Sequence, residues 1–228
     1  MDLHANFLLR MRRGMLGPMH VLDHVLVFCG ANAPEQQKLL DAGLQVGARR
    51  EHQGQGTANV CFGFADSYLE LIWLADEAAA RDPMVKPLGL QERARWREAN
   101  ASPFGVCVRA SVRGEAPPFP SWDYRPAFVP ADQAIHMLCN SGVIGEPMLF
   151  ALDRPFEPFG PAHTLSAARL QRATITVRDL APMSLLREVN VPGLEIRAGA
   201  EPLLELTFAD ARGSVIDLRP LVPLVLRH

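Results

Sequence analysis

The order of predicted strands and helices constrains the fold of this chain more than any other feature. Residues 21–30 are rich in β-branched and apolar residues and end at Gly30, which predicts a strand. A helix is predicted over residues 33–44, with Pro34 suited to its first turn and Gly43 as its stop. Three more strands are predicted from the segments LQVGARREH, TANVCFGF and YLELIWLA, separated by the turns GQG and ADS. Together these elements form a βαβββ module.

The end of the chain repeats this order of elements. LQRATITVRD predicts a strand, LAPMSLLREV a helix, and GLEIRA, PLLELTFA and SVIDLRPL three further strands. An internal repeat of about 50 residues determines the fold as a whole. The middle of the chain is predicted to be a degraded copy. FGVCVRAS, AIHMLC and PMLFAL predict strands there, but the proline-rich segment GEAPPFPSWDYRPAFVP is too poor in helix signals to repeat the helix.

These patterns divide the chain into four parts. Residues 1–18 are predicted to be a flexible N-terminal extension. Residues 19–100 hold the first module and a charged, alanine-rich helical linker that prolines interrupt. Residues 101–165 hold the degraded second module with a loop, and residues 166–228 hold the C-terminal βαβββ module.

Composition and charge exclude several classes of protein. The chain has 23 Lys and Arg against 25 Asp and Glu, and its net charge of -2 argues against a nucleic-acid binder, which would carry a basic face. No apolar stretch approaches the ~20 residues of a membrane span, and the N-terminus lacks a signal peptide's hydrophobic core and cleavage site. The cysteines lie far apart without a CxxC pair, as is typical of free thiols in a reducing compartment. We therefore expect a cytoplasmic protein with a small-molecule ligand, no nucleic-acid or membrane partner, and a homodimer as one possible assembly.

Two polar residues stand in the middle of apolar strands. Alternation along the first strand groups Leu22, His24, Leu26 and Phe28 on one face, and Glu70 is similarly enclosed in YLELIWL. A buried carboxylate is costly unless it is paired, hydrogen-bonded or bound to a cation. His24 and Glu70 are therefore candidate ligands for a divalent metal. The alternative is a His–Glu pair that satisfies itself in the core without a metal.

The segment HQGQGTANVCFGF lies between these two strands. Gly54 and Gly56 allow a tight turn with positive φ or a close backbone approach. Thr57, Asn59 and Cys61 share one face of the following strand, and this face is expected to look into the concavity with His24 and Glu70. His52, at the rim, is a candidate for substrate binding, proton donation or metal ligation. The alternative for His52 is a solvent-facing turn histidine.

Other candidates rest on weaker patterns. Arg154 can clamp an anionic group of a substrate, and His136 and His163 can approach a cavity. For each of them, an ordinary surface residue is the alternative. The sequence has no phosphate-binding glycine loop, GxSxG or HExxH motif, which excludes the nucleotide-binding, serine-hydrolase and zincin classes that these motifs define.

The motifs LDHVLV, HQGQGTANVCFGF and DSYLELIWL, in this order, resemble the vicinal oxygen chelate superfamily, and more closely its glyoxalase-like subgroup. The resemblance implies an α+β fold of repeated βαβββ modules, whose curled mixed sheets surround a cavity, here with a partly degraded middle module. It also implies a divalent metal cofactor, held by the first and last strands of each module. The metal chelates substrate oxygens and stabilises an enolate or oxyanion as a Lewis acid. His24 falls on the first-strand ligand position and Glu70 on the last-strand position.

The other modules depart from this pattern. In the middle segment the corresponding positions fall near Phe104 or Gly105 and near Leu149 or Phe150, which cannot bind a metal. In the final segment they fall on Ala173 and Asp217, of which only the second is polar. The module pattern therefore gives no complete set of four ligands. Either His52 or His163 supplies a substitute, or the metal is weakly held, or the protein binds its ligand without a metal.

The leading hypothesis is an enzyme that acts on a small oxygenated molecule by metal-assisted lyase, isomerase or ring-opening chemistry. In this hypothesis His24 and Glu70 hold the metal, and His52 and Glu70 act in catalysis. The candidate substrate-binding residues are Thr57, Asn59, Arg154 and His163. The alternatives are a drug-sequestering, bleomycin-resistance-like binding protein without turnover, and a structural protein that has lost its site.

Overall fold

The computed structural model describes residues 20–110, 114–152, 168–179, 190–209 and 213–228. The predicted N-terminal extension and the helix predicted over residues 180–189 lie outside these ranges. Strands make up most of the described regular structure, and they form two mixed sheets.

The first module has the predicted order of elements, which are β1 (His20–Phe28), α1 (Gln36–Asp41), β2 (Ala48–His52), β3 (Thr57–Gly63) and β4 (Tyr68–Leu74). Helix α1 is shorter than predicted, and it is followed by Gly43 at φ +91°. The linker contains 3-10 turns at Ala79–Arg81 and Lys86–Leu88, then α2 (Leu90–Ala94) and α3 (Trp96–Ala99).

The second module consists of β5 (Phe104–Ala110), β6 (Ser121–Tyr124), β7 (Ile135–Leu138) and β8 (Met148–Leu152). Strand β6 was missed by the sequence patterns because its surroundings are rich in proline. It lies at the edge of the sheet, where a strand bonds to one neighbour only and nearby proline is tolerated.

The two modules join through their first strands into one sheet with the order β2-β3-β4-β1-β5-β8-β7-β6. Strand β1 is parallel to β4 and antiparallel to β5, and β5 is in turn parallel to β8. The second module therefore repeats the arrangement of the first around the central β1–β5 pair. The predicted α+β fold with repeated modules and a degraded middle copy is confirmed.

A register shift in the β1–β5 pair lies between Leu22 and His24 and leaves Asp23 without a partner residue. Such a β-bulge interrupts the alternation of side chains between the two faces of a sheet. The prediction that Leu22 shares a face with His24 is therefore wrong, because Leu22 packs against the core on the other side of the sheet.

The second sheet has the order β10-β9-β11-β13-β12, formed by β9 (Leu170–Val177), β10 (Leu194–Ala198), β11 (Leu203–Phe208), β12 (Val215–Asp217) and β13 (Leu224–Arg227). Strand β13 was not predicted, and the predicted strand SVIDLRPL ends early, at Asp217. The carboxylate of Asp217 accepts hydrogen bonds from the backbone and the guanidinium of Arg219, which fixes a turn there. Strand β9 is antiparallel to β11, β9 is parallel to β10, and β11 is parallel to β13. This strand order differs from that of the first module.

The main hydrophobic core lies between the two sheets. Val25 and Phe62, on the convex face of the first sheet, belong to the same buried cluster as Ile175 and Leu206 of the second sheet. Burial of each such side chain contributes about 1.5–3 kcal/mol. The second sheet thus covers the back of the first sheet and leaves its concave face free for a site.

Arg93 of α2 ties the linker to the second module. Its guanidinium is fully buried and donates hydrogen bonds to backbone carbonyls. The accepting carbonyls belong to Leu88, Ser102, Ser141, Ile144 and Glu146. Burial lowers the pKa of Arg93 to about 10, so the side chain stays charged at neutral pH. These buried hydrogen bonds fix the position of the linker at the end of the concave face.

The turn between β2 and β3 offers a matched pair of variants. Gly54 and Gly56 have φ of +78° and +80°, as the turn prediction required. A β-carbon on Gly56 would overlap the carbonyl oxygen of Asp76 and lie 2.7 Å from the nitrogen of Ala80, whereas one on Gly54 meets nothing within 4 Å. We expect Gly54→Ala to lower the free energy of unfolding by about 1 kcal/mol and Gly56→Ala by about 3 kcal/mol or more. Urea denaturation measures both, and equal losses would contradict the close approach.

Candidate functional site

The concave face of the first sheet lines a cavity of about 450 Å³. Its two walls differ in chemistry. The first module supplies the polar wall, formed by His24, Arg50, His52, Gln55, Asn59 and Glu70. The second module supplies a mostly apolar wall, which includes Phe128, Ile135, Met137, Met148, Phe150 and Leu152. A cavity with an apolar wall and a few convergent polar groups is the usual form of a small-molecule site.

His24 and Glu70 meet at the polar wall. Their strands are parallel neighbours in which Leu26 lies opposite Glu70, so the two polar side chains are one diagonal position apart on the same face. The Nε2 atom of His24 lies 3.4 Å from Oε2 of Glu70, and both side chains are buried. The sequence prediction that these residues face a shared hollow agrees with this geometry.

Asp23 is a third member of this group that sequence reasoning missed. Its bulged position lets Oδ1 approach Nδ1 of His24 to 2.7 Å, although consecutive strand residues normally point to opposite faces. Its Oδ2 lies 3.3 Å from the guanidinium of Arg109. Burial raises the pKa of the Asp23 carboxyl, but the hydrogen bond and charge of His24 and the charge of Arg109 outweigh burial and lower the pKa overall. Asp23 is therefore ionised at neutral pH and accepts the Nδ1 proton of His24.

This arrangement favours a proton or a metal ion between His24 and Glu70. With its Nδ1 proton donated to Asp23, a neutral His24 would direct the Nε2 lone pair at a carboxylate oxygen, and two acceptors repel. Either a proton on one of the two atoms or a metal ion removes that repulsion. The ring of His24 is also fixed, since it stacks on Tyr68 at 4.1 Å between centroids and meets the edge of Phe150 at 5.5 Å.

Asn59 connects Glu70 to His52. Its Oδ1 accepts a hydrogen bond from the backbone of Arg50 at 3.1 Å, which sets the orientation of the amide. Its Nδ2 then donates to Oε1 of Glu70 at 2.6 Å and faces Nε2 of His52 at 3.3 Å. The amide holds one oxygen of Glu70 and leaves the other oxygen facing His24.

His52 is held from three sides. Its Nδ1 lies 2.8 Å from Oγ1 of Thr57, its Nε2 accepts from Asn59, and its ring packs against Phe128 at 4.7 Å between centroids. An Nε2 that accepts places the proton on Nδ1, so this network selects the neutral imidazole. Burial lowers the pKa of His52 from its ordinary value of 6.5, and the charges of Arg50 and His24 lower it further against the opposing effect of Glu70.

Some of the predicted site residues lie at the cavity, and others lie away from it. His24, His52, Asn59 and Glu70 come together at the cavity, whereas Thr57 lies behind His52 and supports it. His136 pairs with Asp123 away from the cavity lining. Arg154 and His163 lie outside the described residues. Ala173 is buried between the sheets and Asp217 lies in the second sheet, so neither belongs to this site.

Several residues of the site were missed, namely Arg50, Gln55, Tyr68 and Phe128, which line the cavity, and Asp23, which contacts His24 from behind. Alternation along β4 already grouped Tyr68 with Glu70, so a signal existed for that residue. No local pattern marks Phe128, which reaches the site only because the β6–β7 connection folds over it. Cys61 lines the cavity as its predicted face required, but burial and then the charge of Glu70 raise the pKa of its thiol. It is therefore a poor nucleophile.

The second module offers no metal ligands at the matching positions. Gly105 and Phe150, which fall on the positions that the resemblance assigns to the ligands, are related across the β5–β8 pair as His24 and Glu70 are across the β1–β4 pair, and neither can bind a metal. Within the described ranges, the donor atoms of Asp23, His24 and Cys107 also lie within 4.8 Å of one another. Asp23 is already engaged by Arg109, and neither Asp23 nor Cys107 lines the cavity. A metal at the cavity wall would therefore have His24 and Glu70 as its protein ligands, with its remaining positions open.

The network predicts how pH acts on this site. Because burial lowers the pKa of His52, the unfolded chain binds this proton more tightly than the folded chain. The free energy of unfolding therefore falls as the pH drops below about 6.5, and the loss continues until the folded-state pKa is passed. We expect NMR titration to show His52 protonating below 6.5, and His52→Gln to flatten the pH dependence of stability. A His52 pKa above that value would contradict the neutral network.

Comparison with known proteins supports the fold. The family model of the glyoxalase-like domain matches residues 22–116. No curated protein matches the chain. Among solved structures, a hypothetical protein from Staphylococcus aureus is 10% identical and covers 92% of this chain and 99% of its own, with a TM-score of 0.55. A variant of Streptomyces coelicolor methylmalonyl-CoA epimerase in complex with 2-nitronate-propionyl-CoA is 15% identical and covers 62% of this chain and 100% of its own, with a TM-score of 0.39.

None of the described helices is long and apolar enough to cross a membrane.

The match to the family model begins in β1 and ends just beyond β5, so it includes every polar residue of the cavity wall described above. The family-model match therefore confirms, over residues 22–116, the resemblance to the glyoxalase-like subgroup that the sequence motifs indicated.

Proposed function

We propose that the protein acts on a small oxygenated organic molecule in this cavity, by isomerase or lyase chemistry centred on His24 and Glu70. The observation that carries the proposal is the buried contact of 3.4 Å between these side chains at the cavity wall. A few polar side chains that converge on an otherwise apolar cavity are the usual form of a binding or catalytic site.

The residues have complementary roles in this proposal. With a proton on Nε2, His24 donates a hydrogen bond to an oxygen of the substrate, and Asp23 fixes the ring through Nδ1. Oε2 of Glu70 takes a proton from the neighbouring carbon, while Asn59 holds Oε1. His52, neutral and at the rim, serves as the second acid–base group when its Nε2 exchanges the hydrogen bond with Asn59 for one with the substrate. General acid–base catalysis of this kind contributes roughly 10²–10⁴-fold to a rate.

The donor set also fits a divalent metal in part. His24 and Glu70 would be its two protein ligands, and Asp23 would orient the imidazole as carboxylates commonly do behind metal-bound histidines. A metal bound there would polarise a substrate oxygen as a Lewis acid. Catalytic zinc sites usually have three protein ligands, so binding to two is expected to be weak.

A second candidate function is binding without turnover, and one observation favours it. The second module replaces the matching ligand positions with Gly105 and Phe150, and its wall is mostly apolar. This wall suits capture of an apolar or aromatic compound. The two functions differ in their dependence on His24 and Glu70, because capture needs the cavity but not a reacting pair.

Metal binding tests the roles of these side chains. We expect calorimetric titration with Zn²⁺ or Mn²⁺ to show one site, which His24→Ala and Glu70→Ala abolish. Loss of the group that orients the imidazole, in Asp23→Asn, is expected to weaken the affinity about 10–100-fold. His136→Ala and Glu77→Ala are the matched controls, since both residues lie outside the cavity lining.

Unchanged metal affinity in both the His24 and Glu70 variants would refute the ligand assignment. Absence of metal binding by the wild type would leave the shared proton as the cation between the two side chains. In that case the pair would act by acid–base chemistry alone.

A further inference from the structure

We infer that the ligand of this cavity is an amphipathic anion, whose charged group binds Arg50 and whose apolar body lies on the second-module wall. This inference rests on the proposed function, because it names the substrate class of the same site. It concerns Arg50, a residue that no sequence motif singled out.

Arg50 lies on the edge strand β2, opposite Asn59 in the β2–β3 pair, and lines the cavity. Its charge acts on groups of the cavity wall, since it adds to the lowering of the His52 pKa by burial and opposes the rise of the Cys61 pKa that burial and Glu70 cause. The guanidinium is therefore close enough to the cavity to act on a bound molecule.

Arg50 differs from two other arginines of the first sheet in the contacts of its side chain. Arg49 hydrogen-bonds to Gln36, and Arg109 pairs with Asp23. Within the described ranges, no acidic side chain pairs with the guanidinium of Arg50, although Glu51 also lines the cavity. A guanidinium at a cleft mouth recognises carboxylate, sulfonate or phosphate oxygens through charge-assisted hydrogen bonds.

The opposite wall defines the rest of the ligand. Met137, Met148, Phe150 and Leu152 present apolar and aromatic surface across from the polar wall. Covering such surface contributes about 25 cal/mol per Å² of apolar area removed from water. A small, fully polar anion would leave this wall uncovered, so the ligand needs an apolar body as well as a charge.

The sheet also sets the spacing within the ligand. Strand β3 separates β2, which carries Arg50, from β4, which carries Glu70. Because neighbouring strands lie about 4.8 Å apart, the two backbones are about 10 Å apart. The anionic group and the oxygenated carbon that meets His24 and Glu70 are therefore expected in different parts of the ligand.

Two fluorescent probes test this inference. 8-Anilinonaphthalene-1-sulfonate and N-phenyl-1-naphthylamine share an aromatic skeleton, but only the first carries a negative charge. We expect Arg50→Gln to weaken binding of the sulfonate probe about tenfold and to leave binding of the neutral probe unchanged. Arg49→Gln is the matched control, because Arg49 does not line the cavity. Leu152→Trp, which fills the cavity from the apolar wall, is expected to abolish binding of both probes.

The outcomes separate the role of Arg50 from the proposed function. Equal effects of Arg50→Gln on both probes, or no effect on either, would overturn the role of Arg50 and leave the proposed function standing. If the wild type binds neither probe, or if Leu152→Trp leaves both bound as before, the cavity is not a small-molecule site and both proposals fail. Retained binding of the neutral probe by Arg50→Gln shows that this variant is folded.

Discussion

The buried contact between His24 and Glu70 is the interaction on which the rest of the site depends. Two polar side chains away from water destabilise a fold unless each finds partners. Here Asp23, itself paired with Arg109, accepts the hydrogen bond of one imidazole nitrogen, and Asn59 donates to one oxygen of the carboxylate. The remaining pair of atoms, Nε2 of His24 and Oε2 of Glu70, lies 3.4 Å apart at the wall of the cavity, where a proton or a metal ion between them would relieve their repulsion. A core without function would gain stability by replacing both groups with apolar side chains.

The architecture explains why this pair can exist. Pairing of β1 with β5 joins two modules into one curled sheet, and the second sheet packs on its convex face. The hydrophobic contacts that stabilise the fold therefore lie largely behind the sheet, which leaves the concave face available for polar groups. Within that face the two modules have different chemistry. The first supplies charge and hydrogen bonds, and the second supplies apolar surface.

The sequence predicted the first module well because its signals are local. Strand alternation placed His24, Asn59 and Glu70 on one face, and Gly54 and Gly56 marked the turn that the structure contains. Features that depend on distant pairing were missed. The bulge at Asp23 exists only in the register of β1 with β5, and it both moves Leu22 to the other face and brings the Asp23 carboxylate to His24. Arg50 and Phe128 were likewise missed, because only the folded cavity, which both residues line, marks them as part of the site. The domain boundaries of the last segment stay a prediction.

A double-mutant cycle on His24 and Glu70 tests the central claim most directly. His24→Phe keeps a ring against Tyr68, and Glu70→Gln keeps the side-chain shape, so the cycle isolates the interaction between imidazole and carboxylate. Free energies of unfolding, measured at neutral pH in the presence of a metal chelator, give the coupling. We predict that the double variant is less destabilised than the sum of the single variants, by about 1–3 kcal/mol. Additive losses would contradict a shared cation between the two side chains.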